Sequence, residues 1–341
     1  MRWLRERFER RLLAGWYGPR PLLWAVPLAA VFWLLTALRR SLHRWRLLPV
    51  ARLEVPVLVV GNVTAGGTGK TPLVDWLAGA LRARGFTPGI VARGYGGSEP
   101  AVPVLVDADS DPTIVGDEPL LHARRGVGPV CVGRDRVAAG RALLAARPQV
   151  DLLICDDGLQ HLRLDRDAEL LVVDGERGFG NGWLLPAGPL REPSAPALAR
   201  ATAVVHTARG PAGACVMELQ FEDPVQLSDG ARRPLDGFRG AAVHAVAGIG
   251  NPERFFAALE ARGLRIARHP RPDHAPLALQ DLEFRDGAPV LITEKDAVKL
   301  PRRAPAGIWC VAVNAAFAPL DAARLLEALL VRLARRDGRR R

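Results

Sequence analysis

The most constraining feature of this chain is a strand-like segment that leads directly into a glycine-rich turn and then into a helix-like segment. Residues 55–60 form a short apolar run, as buried parallel strands do. The turn GNVTAGGTGK follows at residues 61–70, and apolar positions then recur at helical spacing as far as Gly85. Together these elements form the setting of a P-loop, in which backbone N–H groups bind nucleotide phosphates. The sequence therefore predicts an α/β, P-loop NTPase-like fold with a mostly parallel sheet flanked by helices.

Each residue type in this loop has a predicted task. The backbone N–H groups of residues 66–71 would surround the β-phosphate, Lys70 would reach the β and γ oxygens, and the Thr71 hydroxyl would bind Mg²⁺. The general pattern GxxxxGK[ST] places glycine where this chain has Thr64, and three other glycines keep the loop open. With ATP and Mg²⁺ as cofactors, the predicted binding residues are Thr64, Ala65, Gly66, Gly67, Thr68, Gly69, Lys70 and Thr71.

Lysine usage points to the same loop. The chain has three lysines, Lys70, Lys295 and Lys299, against 44 arginines. Because arginine is used wherever a general positive charge suffices, a remaining lysine indicates a task that needs a compact ammonium group. This reasoning supports Lys70 as a phosphate ligand and makes the other two lysines candidates, although chance or helix preference would also explain them.

Two adjacent aspartates supply the acidic partners that a P-loop needs. The strand-like segment DLLIC at residues 151–155 is followed by Asp156 and Asp157. One carboxylate can hold Mg²⁺ while the other orients a group or accepts a proton, and two adjacent acids are unfavourable unless a cation lies between them. We predict that Asp156 binds the metal together with Thr71. Capping of a turn is the alternative, and the strand end at residues 170–174 is a weaker candidate.

Three further segments place charged residues beside glycine or proline after apolar runs. Ligands of open α/β sheets bind at the carboxyl ends of strands, so these loops are candidates to line the same site. The segments are VGDEPLL at residues 115–121, GNGWLLPAGPLRE at 180–192 and VLITEKDAVKL at 290–300.

The amino-terminal region predicts a membrane-associated helix. Residues 21–38 carry no charge and lie between Arg20 and the pair Arg39 and Arg40. At about 1.5 Å per residue such a helix is about 27 Å long, slightly less than the hydrocarbon layer. Five of the eight tryptophans lie in the first 50 residues, as interfacial anchoring would place them. Flanking arginines on both sides favour a helix that dips into one leaflet over one that crosses, and a buried core helix is the alternative.

The net charge of +11 lies mostly at the two ends of the chain. Residues 1–52 contain eleven arginines and two glutamates, and residues 332–341 contain six arginines and one aspartate. A nucleic-acid groove would place this charge in the folded body, so the pattern indicates an acidic membrane surface and no nucleic-acid partner.

Together these motifs resemble the tetraacyldisaccharide 4'-kinase family, the lipid A 4'-kinases of Gram-negative bacteria. The matching segments follow the family's order over nearly the whole chain, and the family itself has threonine at the position of Thr64. They are GNVTAGGTGKTP, ARGYGG, VGDEP, DDGLQHLRLDRD, GNGWLLPAGPLRE, GIGNPERFF, PDH and TEKDAVK.

The resemblance implies transfer of the γ-phosphoryl group of ATP to the 4'-hydroxyl of a tetraacylated glucosamine disaccharide 1-phosphate, which gives lipid IVA. It implies Asp117 as the catalytic base and His274 as its partner, although the family's FPDHH reads RPDHA here. Because these two residues are 157 positions apart, their pairing would require two domains to close. The implied catalytic residues are Asp117, His274, Asp157, Arg191 and Glu192.

The expected organisation has four parts. They are a membrane-associated helical amino terminus at residues 1–50, a P-loop kinase domain at 51–238, a smaller α/β carboxyl-terminal domain at 239–330 and a basic, disordered tail at 331–341. We expect a monomer at the inner membrane that acts on a lipid substrate, with its catalytic domains on the cytoplasmic side.

Three alternatives remain at this point. A membrane-associated P-loop ATPase of the partitioning type would carry a lysine in place of Ala65, and a guanine-nucleotide switch would carry NKxD where this chain has TEKD. A membrane scaffold without enzymatic activity is the third.

Overall fold

The structure is a computed structural model that describes residues 11–334. Helices and strands alternate along it, which confirms the predicted α/β class with mostly parallel sheets flanked by helices. Residues 11–16 are helical. The α-helices that follow are α1 Val26–Arg44, α2 Lys70–Arg82, α3 Pro112–Val115, α4 Asp117–Arg125, α5 Arg136–Ala146, α6 Ser194–Arg200, α7 Pro252–Ala261, α8 Glu294–Ala297 and α9 Pro319–Ala334. Short 3₁₀ turns span Leu23–Ala25, Leu235–Phe238 and Leu279–Leu282. The strands are β1 Val57–Gly61, β2 Pro88–Ala92, β3 Val104–Val106, β4 Val130–Val132, β5 Leu152–Asp156, β6 Ala168–Asp174, β7 Ala203–Thr207, β8 Cys215–Phe221, β9 Val225–Gln226, β10 Ala242–Ala247, β11 Arg265–Pro270, β12 Val290–Thr293, β13 Ile308–Val311 and β14 Val313–Phe317.

The chain forms two compact units. The first unit contains Met1–Lys70, Asp151–Glu218 and Phe317–Arg341, and the second contains Thr71–Val150 and Leu219–Ala316. The domain boundaries expected at residues 50 and 238 stay predictions. The expected basic tail begins at residue 331, but α9 includes residues 331–334, and residues 335–341 lie outside the described part of the chain, as do residues 1–10.

The first unit is built on parallel strands in the order β8, β7, β6, β1 and β5. Every residue of β1 and of β5 is buried, which explains why both read as continuous apolar runs in the sequence. Strand β1 lies between β5 and β6, and Val60 pairs with Asp156 in the register of β1 with β5. The carboxyl ends of β1 and β5 are therefore neighbours, and the segments that follow them leave the sheet at the same edge.

Helix α1 and the 3₁₀ turn before it pack against the rest of the first unit through small residues. Ala25 and Ala29 are buried against Ala187, and the indole Nε1 of Trp16 donates to the Pro186 carbonyl at 2.9 Å. The larger apolar side chains of the helix and of this turn are exposed, among them Trp24, Leu28, Val31, Trp33, Leu34, Leu35 and Leu38. The residues from Leu23 to Arg44 are long and apolar enough to cross a membrane, and 11% of the most apolar window is buried. A core helix of a soluble protein would be mostly buried.

The second unit contains two groups of strands. Strand β4 pairs in parallel with β2 and antiparallel with β3. A separate five-stranded sheet has the order β11, β10, β12, β13 and β9, in which only the short β9 is antiparallel. Apolar clusters lie on this sheet, with Phe238, Phe255 and Phe256 among the largest buried side chains. The expected smaller α/β domain at residues 239–330 stays a prediction, because this sheet also contains β9 and shares its unit with residues 71–150.

A network of charged side chains fixes helix α4 within the second unit. Arg125, at the end of α4, donates to Asp75 Oδ2 of α2 at 2.9 Å and to Glu294 Oε1 of α8 at 3.0 Å. It also donates to the Val313 carbonyl at 3.0 Å. His122, one turn earlier on α4, hydrogen-bonds with Asp75. Arg125 therefore joins two helices and the start of β14 to the helix whose first residue is Asp117.

Replacement of Arg125 by methionine should destabilise the protein strongly. The change keeps much of the side-chain volume but leaves Asp75 and Glu294 without their cation, which typically costs about 3 kcal/mol for a buried pair. The free energy of unfolding, measured by denaturant titration, tests this. Arg268→Met is the matched control, because Arg268 pairs with Glu253 and Glu260 at an exposed position where such pairs contribute less than about 1 kcal/mol. Equal losses in the two variants would contradict the prediction.

Candidate active site

The glycine-rich loop connects β1 to α2 and is held on one side by the segment that precedes Arg191. Thr64 forms an antiparallel bridge with Leu190, and the Ala65 N–H donates to the Pro189 carbonyl at 2.8 Å. Gly66 has a φ of 106° and Gly69 a φ of 81°, backbone conformations that glycine adopts without strain. One side of the loop is therefore held by hydrogen bonds to residues 189–190. Its backbone at Gly66 and Gly69 adopts conformations that favour glycine.

The loop has the features of a phosphate site. Lys70 is the first residue of α2, so the loop ends at the partly positive end of a helix. The hydroxyl of Thr68 is buried and has no hydrogen-bond partner among the described residues, and the space where Gly66 would carry a side chain is open. A buried hydroxyl without a partner is unfavourable unless a ligand satisfies it. The loop geometry thus fits nucleotide phosphates.

Three of the predicted residues meet at Lys70. The Lys70 ammonium donates to Asn62 Oδ1 at 3.1 Å and lies 3.5 Å from Asp157 Oδ1. Arg191 reaches both oxygens of Asp157, at 3.1 and 3.2 Å, and also hydrogen-bonds with Asn62. The structure thus brings Lys70, Asp157 and Arg191 together. Arg191 binds the Asp157 carboxylate through two hydrogen bonds, and the compact Lys70 ammonium lies beside the same carboxylate. Asn62 was not predicted, and its position directly after β1 is the signal that could have identified it.

Asp156 and Asp157 occupy different environments. Asp156 is the last residue of β5 and is 2% exposed, whereas Asp157 is partly exposed and has a φ of 50°. A left-handed conformation is uncommon for residues other than glycine and recurs at functional sites. The Asp156 carboxylate and the Thr71 hydroxyl are hard oxygen donors of the kind that Mg²⁺ prefers, and the metal role of both residues stays a prediction.

Glu192 has three partners that the sequence did not indicate. Its carboxylate accepts from Arg40 of α1 at 2.8 Å and Gln160 at 2.9 Å and pairs with Arg200 of α6 at 2.9 Å. Gln160 also donates to the Asn62 carbonyl at 3.2 Å. A continuous hydrogen-bonded chain therefore joins the apolar helix to the residue that Lys70 contacts. This setting suits a residue that positions others, and the predicted catalytic role of Glu192 stays a prediction.

In the second unit, Asp117 and His274 form a pair. His274 Nδ1 lies 3.2 Å from Asp117 Oδ2. Asp117 is the first residue of α4 and is 4% exposed, and a negative charge is favoured at a helix N-terminus. Gly116 precedes it with a φ of 86°, and a side chain there would meet the Tyr95 carbonyl at 2.6 Å. The sequence led us to expect that two domains must close to form this pair. Such a closure is not needed, because both residues lie in one compact unit.

The two remaining lysines both lie at this pair. Lys295 Nζ is 3.1 Å from His274 Nε2, and Lys299 Nζ is 3.6 Å from Asp117 Oδ2. Burial by itself would lower the pKa of Lys295, but the carboxylates of Glu118 and Asp273 outweigh it and raise that pKa above its ordinary value. The scarcity of lysine in the sequence made Lys295 and Lys299 candidates, and the structure shows that both lie beside Asp117 and His274.

The motif ARGYGG forms the wall behind His274. The Tyr95 ring meets the imidazole edge to face at a centroid distance of 4.7 Å. Gly96 has a φ of 86°, and a side chain there would lie 2.5 Å from His274 Nδ1. His274 itself has a φ of 58°. The imidazole can therefore reach Asp117 only because residue 96 has no side chain.

Comparison with known proteins gives consistent matches over most of the chain. A family model described as tetraacyldisaccharide-1-P 4'-kinase matches residues 21–334. A tetraacyldisaccharide 4'-kinase from Alkalilimnicola ehrlichii is 51% identical over 315 residues, which are 90% of this chain and 92% of the relative. One from Pseudomonas aeruginosa is 46% identical over 332 residues, which are 95% of this chain and 99% of the relative.

A solved structure agrees as well. The crystal structure of LpxK from Aquifex aeolicus in complex with ATP has a TM-score of 0.74 to this chain at 26% sequence identity. The similarity covers 91% of this chain and 98% of that one.

Replacement of Gly96 by alanine should displace His274 and lower the catalytic rate to the level of His274→Ala. Because both variants lose the same contact, the double variant should lose little more than either single one. Gly126→Ala is the matched control, since Gly126 also has a positive φ but a methyl group there would meet no described atom within 4 Å, so it reports backbone strain alone. Measured kcat values for the wild type and these variants test this. Fully additive losses would contradict it.

Proposed function

Because the chain belongs to the tetraacyldisaccharide-1-P 4'-kinase family, we propose that it transfers the γ-phosphoryl group of ATP to a lipid hydroxyl. The acceptor is the 4'-hydroxyl of a tetraacylated glucosamine disaccharide 1-phosphate, and the product is lipid IVA of lipid A biosynthesis. The observation that carries this proposal is the cluster of Lys70, Arg191 and Asp157 beside the glycine-rich loop. Phosphoryl transfer asks a protein mainly for positioning and charge neutralisation, and this cluster offers both.

The loop from Thr64 to Thr71 would bind the phosphates of ATP. Its backbone N–H groups and the Thr68 hydroxyl would donate to phosphate oxygens, and Lys70 would move from Asn62 to the β and γ oxygens. Arg191, already oriented by Asp157, would neutralise charge on the transferred group. Thr71 and Asp156 would hold Mg²⁺, which when bound neutralises charge on the phosphates.

Asp117 would act as the base on the sugar hydroxyl. A carboxylate within hydrogen-bond reach of the hydroxyl can take its proton as the new bond to phosphorus forms. Its buried position at the start of α4 limits competition from water, and His274 fixes one of its oxygens. The other carboxylate oxygen, Oδ1, would then be the one that faces the hydroxyl.

The exposed face of α1 supports a membrane location for the enzyme. Its large apolar side chains are exposed, while Ala25, just before the helix, and Arg40, near its other end, contact the rest of the first unit. A helix attached at both ends to one body suits an orientation in the plane of the interface, with the face buried among acyl chains. We therefore place the enzyme at the inner membrane, with both units on the cytoplasmic side, where ATP is present. We also expect it to be a monomer.

The ATPase of the partitioning type is not favoured. The family match covers residues 21–334, and Ala65 occupies the place of the lysine that such ATPases require.

The proposed reaction has a direct assay. The purified protein is incubated with γ-labelled ATP, Mg²⁺ and tetraacyldisaccharide 1-phosphate in detergent micelles, and label in a bisphosphorylated lipid is measured. Lys70→Ala should reduce the transfer about a thousandfold or more, because charge stabilisation by such groups is worth several kcal/mol. Arg84→Ala, an exposed cation on the same chain segment, should retain wild-type activity. Label released only as inorganic phosphate would refute the kinase and support an ATPase.

Membrane binding should depend on the exposed face of α1 and of the 3₁₀ turn that precedes it. Replacement of Trp24, Trp33 and Leu34 by serine should weaken binding to anionic vesicles at least tenfold, because each large side chain loses about 2 kcal/mol of apolar transfer energy. Binding is measured by vesicle sedimentation. Replacement of Leu105, Leu198 and Leu320, which are exposed apolar residues elsewhere, is the control and should leave binding unchanged. Retention of binding by the α1 variant would exclude this helix as the anchor.

A further inference from the structure

Residues 157–164 leave the carboxyl end of β5 as a series of turns with one isolated bridge at the end. Asp157 is the first of these residues, and its carboxylate contacts both Lys70 and Arg191. A segment without a regular ladder of backbone hydrogen bonds needs other contacts to satisfy its polar groups and to keep one shape. The position of the Asp157 carboxylate therefore depends on what holds this loop.

The guanidinium of Arg166 holds the loop by its backbone carbonyls. It donates to the carbonyls of Leu159 at 3.1 Å, His161 at 2.6 Å and Leu164 at 3.1 Å. Its Nε makes a second bond to the Leu164 carbonyl at 3.2 Å, and its Nη1 also donates to Glu169 Oε1 at 3.3 Å. These five hydrogen bonds match the five N–H donors of a guanidinium. The side chain is 12% exposed, so water competes little for them.

The guanidinium is in turn fixed to the sheet of the first unit. Glu169 lies in β6, opposite Val59 of β1, and β6 has neighbouring strands on both sides. Its second carboxylate oxygen accepts from Arg200 Nε at 2.7 Å. Arg166 therefore connects three carbonyls of an irregular loop to a carboxylate on an inner strand.

Two features of the loop indicate that its shape is enforced. Leu159 is buried and packs so closely on Gly61 that a side chain at Gly61 would lie 2.7 Å from Leu159 Cγ. Asp157 has a φ of 50°, a conformation that costs free energy for a residue other than glycine and persists only where surrounding contacts impose it. The bonds from Arg166 begin two residues later, at the Leu159 carbonyl, and supply such contacts.

We propose that Arg166 is a positioning residue for phosphoryl transfer. It clamps residues 159–164 and thereby holds the Asp157 carboxylate in place, and the proposal rests on the transfer reaction proposed above. Release of the carbonyls would let Asp157 relax to a right-handed conformation, which turns its carboxylate away from Lys70 and Arg191. A displacement of about 1 Å in such a group is enough to lower a rate about a hundredfold.

The contacts also explain why a smaller cation would not suffice. A planar guanidinium spreads its donors over three nitrogens, which lets one side chain reach carbonyls at three points of a loop. An ammonium places all its donors on one atom. Lysine in place of Arg166 would keep a positive charge near Glu169 but would lose most of the bonds to the loop, so this substitution separates the clamp from the charge.

Arg166→Lys should lower the rate of transfer and leave nucleotide binding nearly unchanged. Residues 189–190 hold the glycine-rich loop, so the dissociation constant for ATP should stay within about threefold of wild type while kcat falls about a hundredfold. Rates are expressed per molecule that binds ATP, which removes any loss due to unfolded protein. Arg52→Lys is the matched control, because Arg52 pairs with Asp167 from an exposed position. An unchanged rate per ATP-binding molecule in Arg166→Lys would overturn the proposal.

A double variant tests whether Arg166 acts through Asp157. Once Asp157→Ala has removed the carboxylate, the further change Arg166→Lys should lower kcat much less than it does in the wild type. The loss in the double variant should therefore fall well short of the product of the two single losses. Losses that multiply fully would show independent roles and overturn the proposal.

Hydrogen–deuterium exchange measures the clamp without the reaction. The amides of His161 and Leu164 donate to carbonyls within the loop, at 2.9 and 3.2 Å. In Arg166→Lys, exchange in peptides that cover residues 157–164 should become about tenfold faster or more, while peptides from the glycine-rich loop stay unchanged. Unchanged exchange in the loop would overturn the proposal. Faster exchange in the variant, together with a wild type that phosphorylates no lipid, would uphold the clamp and refute the proposed function instead.

Discussion

The parallel pairing of β1 with β5 is the constraint on which the first group of site residues depends. It places the ends of both strands side by side, with Val60 opposite Asp156. One strand continues into the glycine-rich loop and the other into the paired aspartates, so Lys70 and Asp157 come within 3.5 Å of each other. Parallel strands need long connections, which is why residues almost 90 positions apart in sequence become neighbours only through the sheet.

Few of the charged residues at these sites act alone. Asn62 contacts both Lys70 and Arg191, and Gln160 connects Asn62 to Glu192. Glu192 in turn pairs with Arg40 of α1, the helix whose other side exposes its large apolar residues. The candidate membrane helix thus has a hydrogen-bonded connection to the candidate phosphate loop. Buried networks of this kind position their members strongly, because each unpaired polar group would be costly.

The contact between Asp117 and His274 depends on backbone conformation. Gly116 and Gly96 have positive φ angles, and a side chain at either position would meet neighbouring atoms. The backbone of His274 also has a left-handed conformation. These conformations allow an imidazole and a carboxylate from distant segments to meet at 3.2 Å. The ammonium groups of Lys295 and Lys299 lie beside this pair. Arginine lacks the compact shape of an ammonium group.

Local patterns in the amino acids were enough to predict the fold class, the phosphate loop and the apolar helix, because each depends on periodicity or on a short motif with a fixed backbone. They also identified Lys295 and Lys299 as unusual, since these lysines stand out against 44 arginines. Three-dimensional contacts were needed to establish what those lysines touch, that Asn62 and Gln160 belong to the network, and that Asp117 and His274 share one unit. Such pairings join residues far apart in the chain, and their distances follow from strand order and glycine conformations that no local pattern encodes.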